Sequence, residues 1–338
     1  MNRPISLAES NLERERNRRA NQVLTALIVT AVAAAVPFFV TDIYAMNVLI
    51  LTLMYAALSQ SWNILGGYCG QISLGHAVYF GIGAYATTVG LVVAGITPWL
   101  GMLGGGFAAA VVALFLGYFC FRLGGHYYTI ATIVIAEAAL LLFLNWEFVG
   151  AALGLQVPYT GDSWASLQFG QSKLPYFYFV LGFSLVTWLI AWVIQGSAWG
   201  YWWRAVKDDA EAAESLGVNI FRSKMAASGI SAFLTAVGGG FYAMFVSYIE
   251  PQSVLGFQIS LLIALPAVLG GIGTLWGPAV GAIILIPLGE LTRSYIGGSG
   301  SGAHLVIYGA LIVVVSLLRP EGLTSIVFPR KRASGAVQ

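Results

Sequence analysis

Residues 43–95 read IYAMNVLILTLMYAALSQSWNILGGYCGQISLGHAVYFGIGAYATTVGLVVAG and combine two long apolar runs with one polar, glycine-rich break. Each run, Ile43–Leu65 and Ala77–Gly95, is close to the 20 or so residues that a helix needs to cross a bilayer. The break between them, Gly66–Ala77, carries several glycines together with a glutamine, a serine and a histidine. This pattern predicts two membrane-spanning helices joined by an unusual connection.

The whole chain has the composition of a polytopic membrane protein. Of its 338 residues, 58% are hydrophobic and only 9% are charged, whereas about 25% of the residues of a soluble domain are charged. Apolar windows predict ten spans, at Val23–Thr41, Ile43–Leu65, Ala77–Gly95, Pro98–Phe121, Tyr127–Val149, Leu174–Ile194, Met225–Ile249, Ile259–Leu275, Val280–Ile296 and His304–Leu318. We therefore expect an all-α membrane protein with an N-terminal segment (1–22), a transmembrane domain (23–318) and a C-terminal tail (319–338).

Basic residues are distributed unevenly over the predicted loops. With the N-terminus inside, all of the 16 lysines and arginines except Lys173 and Arg293 fall on the cytoplasmic side, as the positive-inside rule requires. Both termini and the loop 197–224 are thus predicted to be cytoplasmic, and the loop 150–173 to be external. The lipid bilayer is the first partner that the sequence implies.

The first predicted span and two of the span boundaries each leave an alternative open. The first apolar stretch follows Arg18-Arg19 as a signal peptide would, but it has the length of a spanning helix, so we expect it to be retained. The boundaries near Thr41 and Gly277 could each be a re-entrant hairpin instead of a connection between two complete spans.

Several classes of function are excluded by the residues present. A net charge of +2 gives no basis for nucleic-acid binding. Cys69 and Cys120 lie far apart, and none of the three histidines has a second ligand at metal-site spacing, so neither a disulfide framework nor a metal centre is expected. The sequence contains no G-x-x-x-x-G-K-[ST] motif, so the chain should not hydrolyse ATP itself.

The cytoplasmic loop contains the sequence DDAEAAESLG at 208–217, which predicts a short amphipathic helix. Acidic residues fall in its N-terminal half, where the helix dipole favours them, and a glycine stands where helices commonly end. Small and apolar side chains give it a flat face suited to a groove in a soluble partner; the alternative is a solvated loop with paired charges. The candidate residues are Asp208, Asp209, Glu211, Ala212, Ala213, Leu216 and Gly217.

The segment Glu211–Gly217 resembles the EAA loop of ATP-binding-cassette importer permeases. Four stretches in order resemble the LivM-type permease family of branched-chain amino-acid importers, namely LGGYCGQISLGHAVYFGIGAY (65–85), GGHYYTIATIVIAE (124–137), RAVKDDAEAAESLGVNIFRSK (204–224) and AVLGGIGTLWGPAVGA (267–282). The resemblance covers roughly residues 48–321. The I-x-L-P sequence that follows the EAA glycine in many other importer permeases is absent here.

The resemblance implies one of two related permease subunits, usually a heterodimer, in the bacterial inner membrane. An external binding protein would deliver the substrate, and two cytoplasmic ATPase subunits would bind ATP and Mg, so that this chain itself needs no cofactor. Relatives carry branched-chain or other amino acids, urea, short amides or aromatic acids. A secondary transporter or channel is the alternative class, although ion coupling requires several ionisable groups inside the membrane, and the chain offers hardly more than Glu137.

The glycine-rich break and one acidic residue are the candidates for a substrate pathway. A broken helix can expose backbone groups and polar side chains to a substrate where it lines a cavity; the alternative is a cytoplasmic turn with close helix packing. An acidic residue in a span is expected to face the bundle interior, either in a pathway or as a packing residue. The candidates are Gly66, Gly67, Gly70, Gln71, Ser73, His76 and Glu137.

The chain contains a second glycine-rich break and two glycine triplets. LGGIGTLWGPAVG (269–281) poses the same choice as the first break and begins, like it, with Leu-Gly-Gly. The triplets Gly104–Gly106 and Gly238–Gly240 predict surfaces on which helices approach closely.

Overall fold

The computed structural model describes residues 7–40, 42–123, 125–170 and 172–296, together with residues 306, 309, 310, 313, 317, 319 and 322–324. The chain forms two compact units that divide between Met46 and Asn47, and the candidate site lies in the second. The described elements are α1 (Leu7–Ala35), α2 (Ile43–Asn63), α3 (His76–Ala94), α4 (Pro98–Cys120), α5 (His126–Leu144), β1 (Leu155–Gln156), α6 (Leu174–Gln195), α7 (Ala198–Asp208), α8 (Ala210–Ser215), α9 (Ile220–Val246), β2 (Tyr248–Ile249), α10 (Pro251–Leu255), α11 (Phe257–Gly270) and α12 (Gly277–Ile296).

Eight helices of the described residues are long and apolar enough to cross a membrane. They are Arg19–Phe38, Ile43–Tyr68, His76–Ala94, Pro98–Cys120, His126–Leu144, Leu174–Gln195, Ile220–Val246 and Pro251–Gly270, and they correspond in order to the first eight predicted spans. The all-α polytopic class is therefore confirmed. The ninth predicted span coincides with α12, which is not among the eight, and His304–Leu318 falls largely outside the described residues, so the count of ten stays a prediction.

Two helix boundaries differ from the predicted ones because local capping, rather than hydropathy, fixes them. Helix α9 begins five residues before the predicted Met225, since Asn219 Oδ1 accepts a hydrogen bond of 2.8 Å from the Arg222 amide. The next span begins at Pro251 instead of Ile259, because α10 and α11 follow each other through Gly256. Hydropathy windows miss such caps, which lie in polar sequence.

Helices α3, α4 and α9 pack through small side chains. Ala109, Ala113 and Ala232 are fully buried there, against a half of α3 that contributes Val78 and Tyr79. Such close packing is typical of membrane helices, which associate through backbone approach rather than through the hydrophobic effect.

Glycines bring the backbones of α3 and α9 into direct contact. A Cβ atom on Gly83 would overlap the Ala236 carbonyl oxygen, and one on Gly239 would overlap the Phe80 carbonyl oxygen. Gly239 is the centre of the triplet that the sequence predicted as a packing surface. The three-helix centre of the bundle thus depends on the absence of side chains at these two positions.

The two polar loops lie at opposite ends of α9. Helix α8 directly precedes this 27-residue helix, which is about 40 Å long at 1.5 Å per residue. At its other end, β2 pairs antiparallel with β1 from the 145–173 loop, with Leu155 opposite Ile249. The segment with the acidic helix and the long loop are therefore separated by the length of a membrane span.

Candidate functional site

The Gly66–Ala77 stretch leaves the α-helical conformation at the end of α2. The helix continues through one π-helical turn, Ile64–Tyr68, before the chain turns away at Cys69. Gly70 has a φ of +73°, which glycine adopts without steric cost, and α3 begins at His76. Single π-helical turns are frequent at functional sites.

The connection that follows folds back along α2. The Trp62 indole Nε1 donates a hydrogen bond of 2.7 Å to the Ser73 carbonyl oxygen, so Ser73 lies beside a residue that precedes the π-helical turn. Helix α5 binds the same segment, since the Leu74 amide donates to Thr132 Oγ1 over 3.1 Å. These backbone groups are engaged within the protein, and they are therefore not available to a substrate.

His76 is a buried residue that joins three helices. Its Nε2 lies 2.9 Å from Ser231 Oγ of α9, and that hydroxyl donates to the Ser61 carbonyl oxygen of α2 over 2.7 Å. Because the Ser231 proton is directed to Ser61, the His76 ring donates through Nε2. The ring also meets Tyr79 edge-on, with centroids 5.5 Å apart. These contacts are those of a packing residue in this conformation.

A small cavity lies next to the folded-back connection. Ser73 is the predicted pathway residue that lines it, whereas Gln71 is half-buried outside it. The polar residues that share this cavity belong to α3, α4, α5 and α9; they are Tyr79, Cys120, Tyr128, Thr132 and Ser228. The connection therefore offers one polar side chain, that of Ser73, to a small cavity inside this chain.

The two Leu-Gly-Gly stretches of the sequence meet in space. Asn63 at the end of α2 donates through Nδ2 to the Thr274 carbonyl (2.9 Å) and accepts from the Gly273 amide through Oδ1 (2.8 Å). A Cβ atom on Gly67 would lie 2.7 Å from the Gly273 nitrogen, so the contact requires glycine. We call residues 66–70 and 271–274 the paired glycine turns.

Glu137 does not face the interior of this chain, although an acidic residue in a span is expected to face the interior of the complete bundle. Helix α5 buries one side, formed by Tyr128, Thr132, Ala136 and Leu140. Glu137 lies on the other side and is exposed, as is Val134. The expectation concerned the complete bundle, including a second permease, so the role of Glu137 stays a prediction; α5 has the least buried span of the eight after the N-terminal one.

The predicted acidic helix exists as α8, with corrections to its beginning and its face. Asp209 is its N-cap, with Oδ1 accepting from the Ala212 amide at 3.0 Å, whereas Asp208 ends α7. Ala213 is buried against the protein and does not share the exposed face with Ala212 and Leu216, which is 85% exposed. Hydrophobicity alone could not distinguish two alanines one residue apart.

Gly217 ends α8 in a Schellman arrangement. Its φ is +88°, its amide donates to the Glu214 carbonyl over 2.8 Å, and the Val218 amide donates to the Ala213 carbonyl over 3.0 Å. A Cβ atom on Gly217 would meet no atom within 4 Å. The helix thus ends at an open surface beside Glu211 and Leu216.

Two residues of the site were not identified from the sequence. Asn63 lies in the polar segment SQSWN (59–63) that closes α2, and this interruption of an apolar run was a usable signal. Lys207 donates through Nζ to the Gly67 carbonyl oxygen over 2.8 Å. In the sequence it was one of many cytoplasmic cations, and nothing near it pointed to a partner 140 residues away.

Comparison with known proteins gives a family match over most of the chain. The family model described as branched-chain amino acid transport system / permease component matches residues 44–316. The high-affinity branched-chain amino acid transport system permease protein LivM of Escherichia coli (strain K12) is 28% identical, over 93% of this chain and 77% of that protein. The permease protein LivH of the same organism is 26% identical, over 80% of this chain and 90% of that protein. The autoinducer 2 import system permease protein LsrC of Escherichia coli (strain K12 / DH10B) is 26% identical, over 80% of this chain and 76% of that protein.

Proposed function

Because the chain belongs to the branched-chain amino acid transport system / permease component family, we propose that it is one of two related membrane subunits of an ATP-driven importer for branched-chain amino acids. It is an all-α, multi-pass permease of the inner membrane, similar to LivM. Its similarity to both LivM and LivH, two permease proteins of one organism, supports a complex with a second, homologous permease.

The exposed helix α8 is the observation that carries this proposal. A short helix that presents Glu211, Ala212 and Leu216 to solvent, and that is fixed at both ends by hydrogen bonds, forms a rigid protrusion. A protrusion of this kind fits a groove in a cytoplasmic ATPase subunit. The ATPase subunits bind ATP and Mg, while an external binding protein delivers the amino acid at the opposite end of α9.

The docking role of α8 is tested by two substitutions at Gly217. Any side chain there adopts φ +88° at a cost of roughly 1–2 kcal/mol, but the space around it is open, so the permease should fold. We expect Gly217→Trp to lower co-purification of the ATPase subunits, or substrate-stimulated ATP hydrolysis, at least about fivefold, because overpacking costs roughly 1–3 kcal/mol. Gly217→Ala carries the same backbone strain without the bulk.

The alanine variant is therefore the matched control, and it should keep most of the stimulated hydrolysis. An assembled tryptophan variant with unchanged substrate-stimulated hydrolysis would contradict docking through α8. Equal losses in both variants would assign the effect to backbone strain and not to an interface.

The orientation of the complex gives a second test. Leu216 and Ala165 are exposed at opposite ends of the bundle, and both native cysteines, Cys69 and Cys120, are buried. In a background without native cysteines, Leu216→Cys should react with an impermeant maleimide only from the cytoplasmic side, and Ala165→Cys only from outside. Reaction of both positions from one side would overturn the proposed topology.

The exposed side of α5 supports the second permease subunit as the neighbour of this chain. A carboxylate that faces lipid in a span costs several kcal/mol, and Glu137 is exposed on the isolated chain. A second permease that covers this side would enclose Glu137 at the seam, where a pathway between two subunits lies. We assign Glu137 to that pathway, where its carboxylate receives the ammonium group of an amino acid.

A further inference from the structure

Lys207 connects the segment that carries α8 to both paired glycine turns. It lies in the last turn of α7, two residues before Asp209, the N-cap of α8. Its Nζ donates to the Gly67 carbonyl oxygen over 2.8 Å, at the C-terminal end of α2, where carbonyl groups lack partners within the helix and a cation is favoured by the helix dipole.

The second turn approaches the same ammonium group. A Cβ atom on Gly273 would lie 3.1 Å from Lys207 Nζ and 2.8 Å from the Gly67 carbonyl oxygen. The aliphatic part of Lys207 lies against Gly70, where a Cβ atom would be 2.9 Å from its Cγ. The Lys207 side chain therefore contacts both turns, with its aliphatic part against the first turn and its ammonium group between the two.

The junction holds the ends of the helices that border the candidate site. Asn63 bonds the second turn to α2, and the first turn leads into the connection that sets the start of α3. The ion pairs found among the described residues do not include Lys207, so its contacts are with these turns and not with the acidic residues of α8. A displacement of α7 and α8 would thus act on the paired glycine turns through this side chain, beside the direct packing of α7 against the Ile64–Tyr68 turn and α9.

We propose that Lys207 is the positioning residue that transmits movement of the ATPase-bound helix α8 to the paired glycine turns, and thereby couples ATP hydrolysis to opening of the substrate pathway. This inference rests on the proposed function, because it requires an ATPase bound at α8. It assigns to Lys207 the coupling of transport to hydrolysis, and not the attachment of the ATPase.

The test uses the complete complex in proteoliposomes and compares substrate transported per ATP hydrolysed. Lys207→Met keeps the aliphatic stem but loses the donor, and we expect it to lower this ratio about tenfold, the effect of losing one hydrogen bond to a charged group. Subunit stoichiometry and basal hydrolysis should stay within about twofold of the unmodified complex. Lys207→Arg keeps a charged donor and should recover most of the ratio.

Arg222→Met is the matched control, since it removes one exposed cation from the same loop. An unchanged ratio in Lys207→Met, or a loss equal to that of Arg222→Met, would overturn the proposal. Loss of the ATPase subunits from the Lys207→Met complex would also overturn it, because the residue would then serve docking.

A folding defect is distinguished by Lys207→Gln, which keeps a neutral donor at the same place. If neither Lys207→Met nor Lys207→Gln inserts into the membrane, Lys207 is a folding residue and the inference is wrong. The result for α8 is read separately. An assembled Gly217→Trp complex with unchanged substrate-stimulated ATP hydrolysis contradicts the proposed function. An unchanged transport-to-hydrolysis ratio in Lys207→Met, together with a defective Gly217→Trp complex, contradicts only the role of Lys207.

Discussion

Replacing Gly239 by valine is expected to prevent the permease from reaching its folded state. The Cβ atom alone would overlap the Phe80 carbonyl oxygen and lie 3.0 Å from the Phe80 Cα atom, and a backbone cannot move away as a flexible side chain can. Overpacking of a core costs typically 1–3 kcal/mol and occasionally more, and here it separates α3 from α9. We expect the free energy of unfolding to fall by at least about 3 kcal/mol. The measurements are loss of the monodisperse peak in size-exclusion chromatography and a lower thermal midpoint in detergent.

Gly104→Val is the control for this substitution. It places the same β-branched residue in a helix interior, with the same change in intrinsic helix propensity, but a Cβ atom on Gly104 meets nothing within 4 Å in this chain. Its thermal midpoint should stay close to that of the unmodified protein. Equal destabilisation by the two valines would show that a β-branched side chain at any helix position, and not the contact between α3 and α9, decides the effect.

The two glycine triplets show how much of the helix packing could be predicted from the sequence. Both were predicted to be packing surfaces. Gly239 meets this expectation, and so does Gly106, where a Cβ atom would lie 2.8 Å from the Phe233 ring, while Gly104 faces open space. A glycine in an apolar run indicates that a backbone can be approached, but the partner helix decides whether it is. That information is carried by residues more than a hundred positions away.

The spans themselves were predictable because apolar length is a local property. Eight of the ten windows coincide with helices long enough to cross a membrane, and the departures at Asn219 and Pro251 arise where polar caps lie outside an apolar window. The relation between Lys207 and Gly67 could not be predicted in this way, since a hydrogen bond across 140 residues leaves no periodic signal in either segment.

The candidate pathway residues show a different limit of sequence reasoning. Glu137 was expected to face the bundle interior as an acidic residue in a span, and His76 was a candidate as part of the glycine-rich break. His76 is buried with a hydroxyl partner, whereas Glu137 is exposed on α5. The rule concerns the complete assembly, so the exposure of Glu137 supports the proposed second permease as the cover of this side of α5.

Glu137→Gln is accordingly expected to abolish import by the assembled complex without disturbing its assembly. Glutamine keeps the shape and hydrogen-bonding capacity of the side chain but removes the charge that would receive a substrate ammonium group, and charge-assisted hydrogen bonds contribute about 1.5–3 kcal/mol. Uptake of labelled leucine by proteoliposomes should therefore fall at least about tenfold, with subunit stoichiometry unchanged. The complex to be reconstituted is the proposed one, with this chain, a homologous permease, two ATPase subunits and the binding protein.

Glu147→Gln provides the matched control, because Glu147 is an exposed carboxylate just beyond the C-terminal end of α5 and outside the span. Uptake by this variant should equal that of the unmodified complex. Poor assembly of the Glu137→Gln complex would instead make Glu137 a packing residue at the seam between the permeases, and normal uptake would remove it from the pathway.

The chain reconstituted with ATPases and binding protein but without the second permease should import nothing, since the side of α5 that carries Glu137 would then face lipid. Import by such a complex would show that two copies of this chain cover that side of each other, and the heterodimer would be wrong while the importer class would stand.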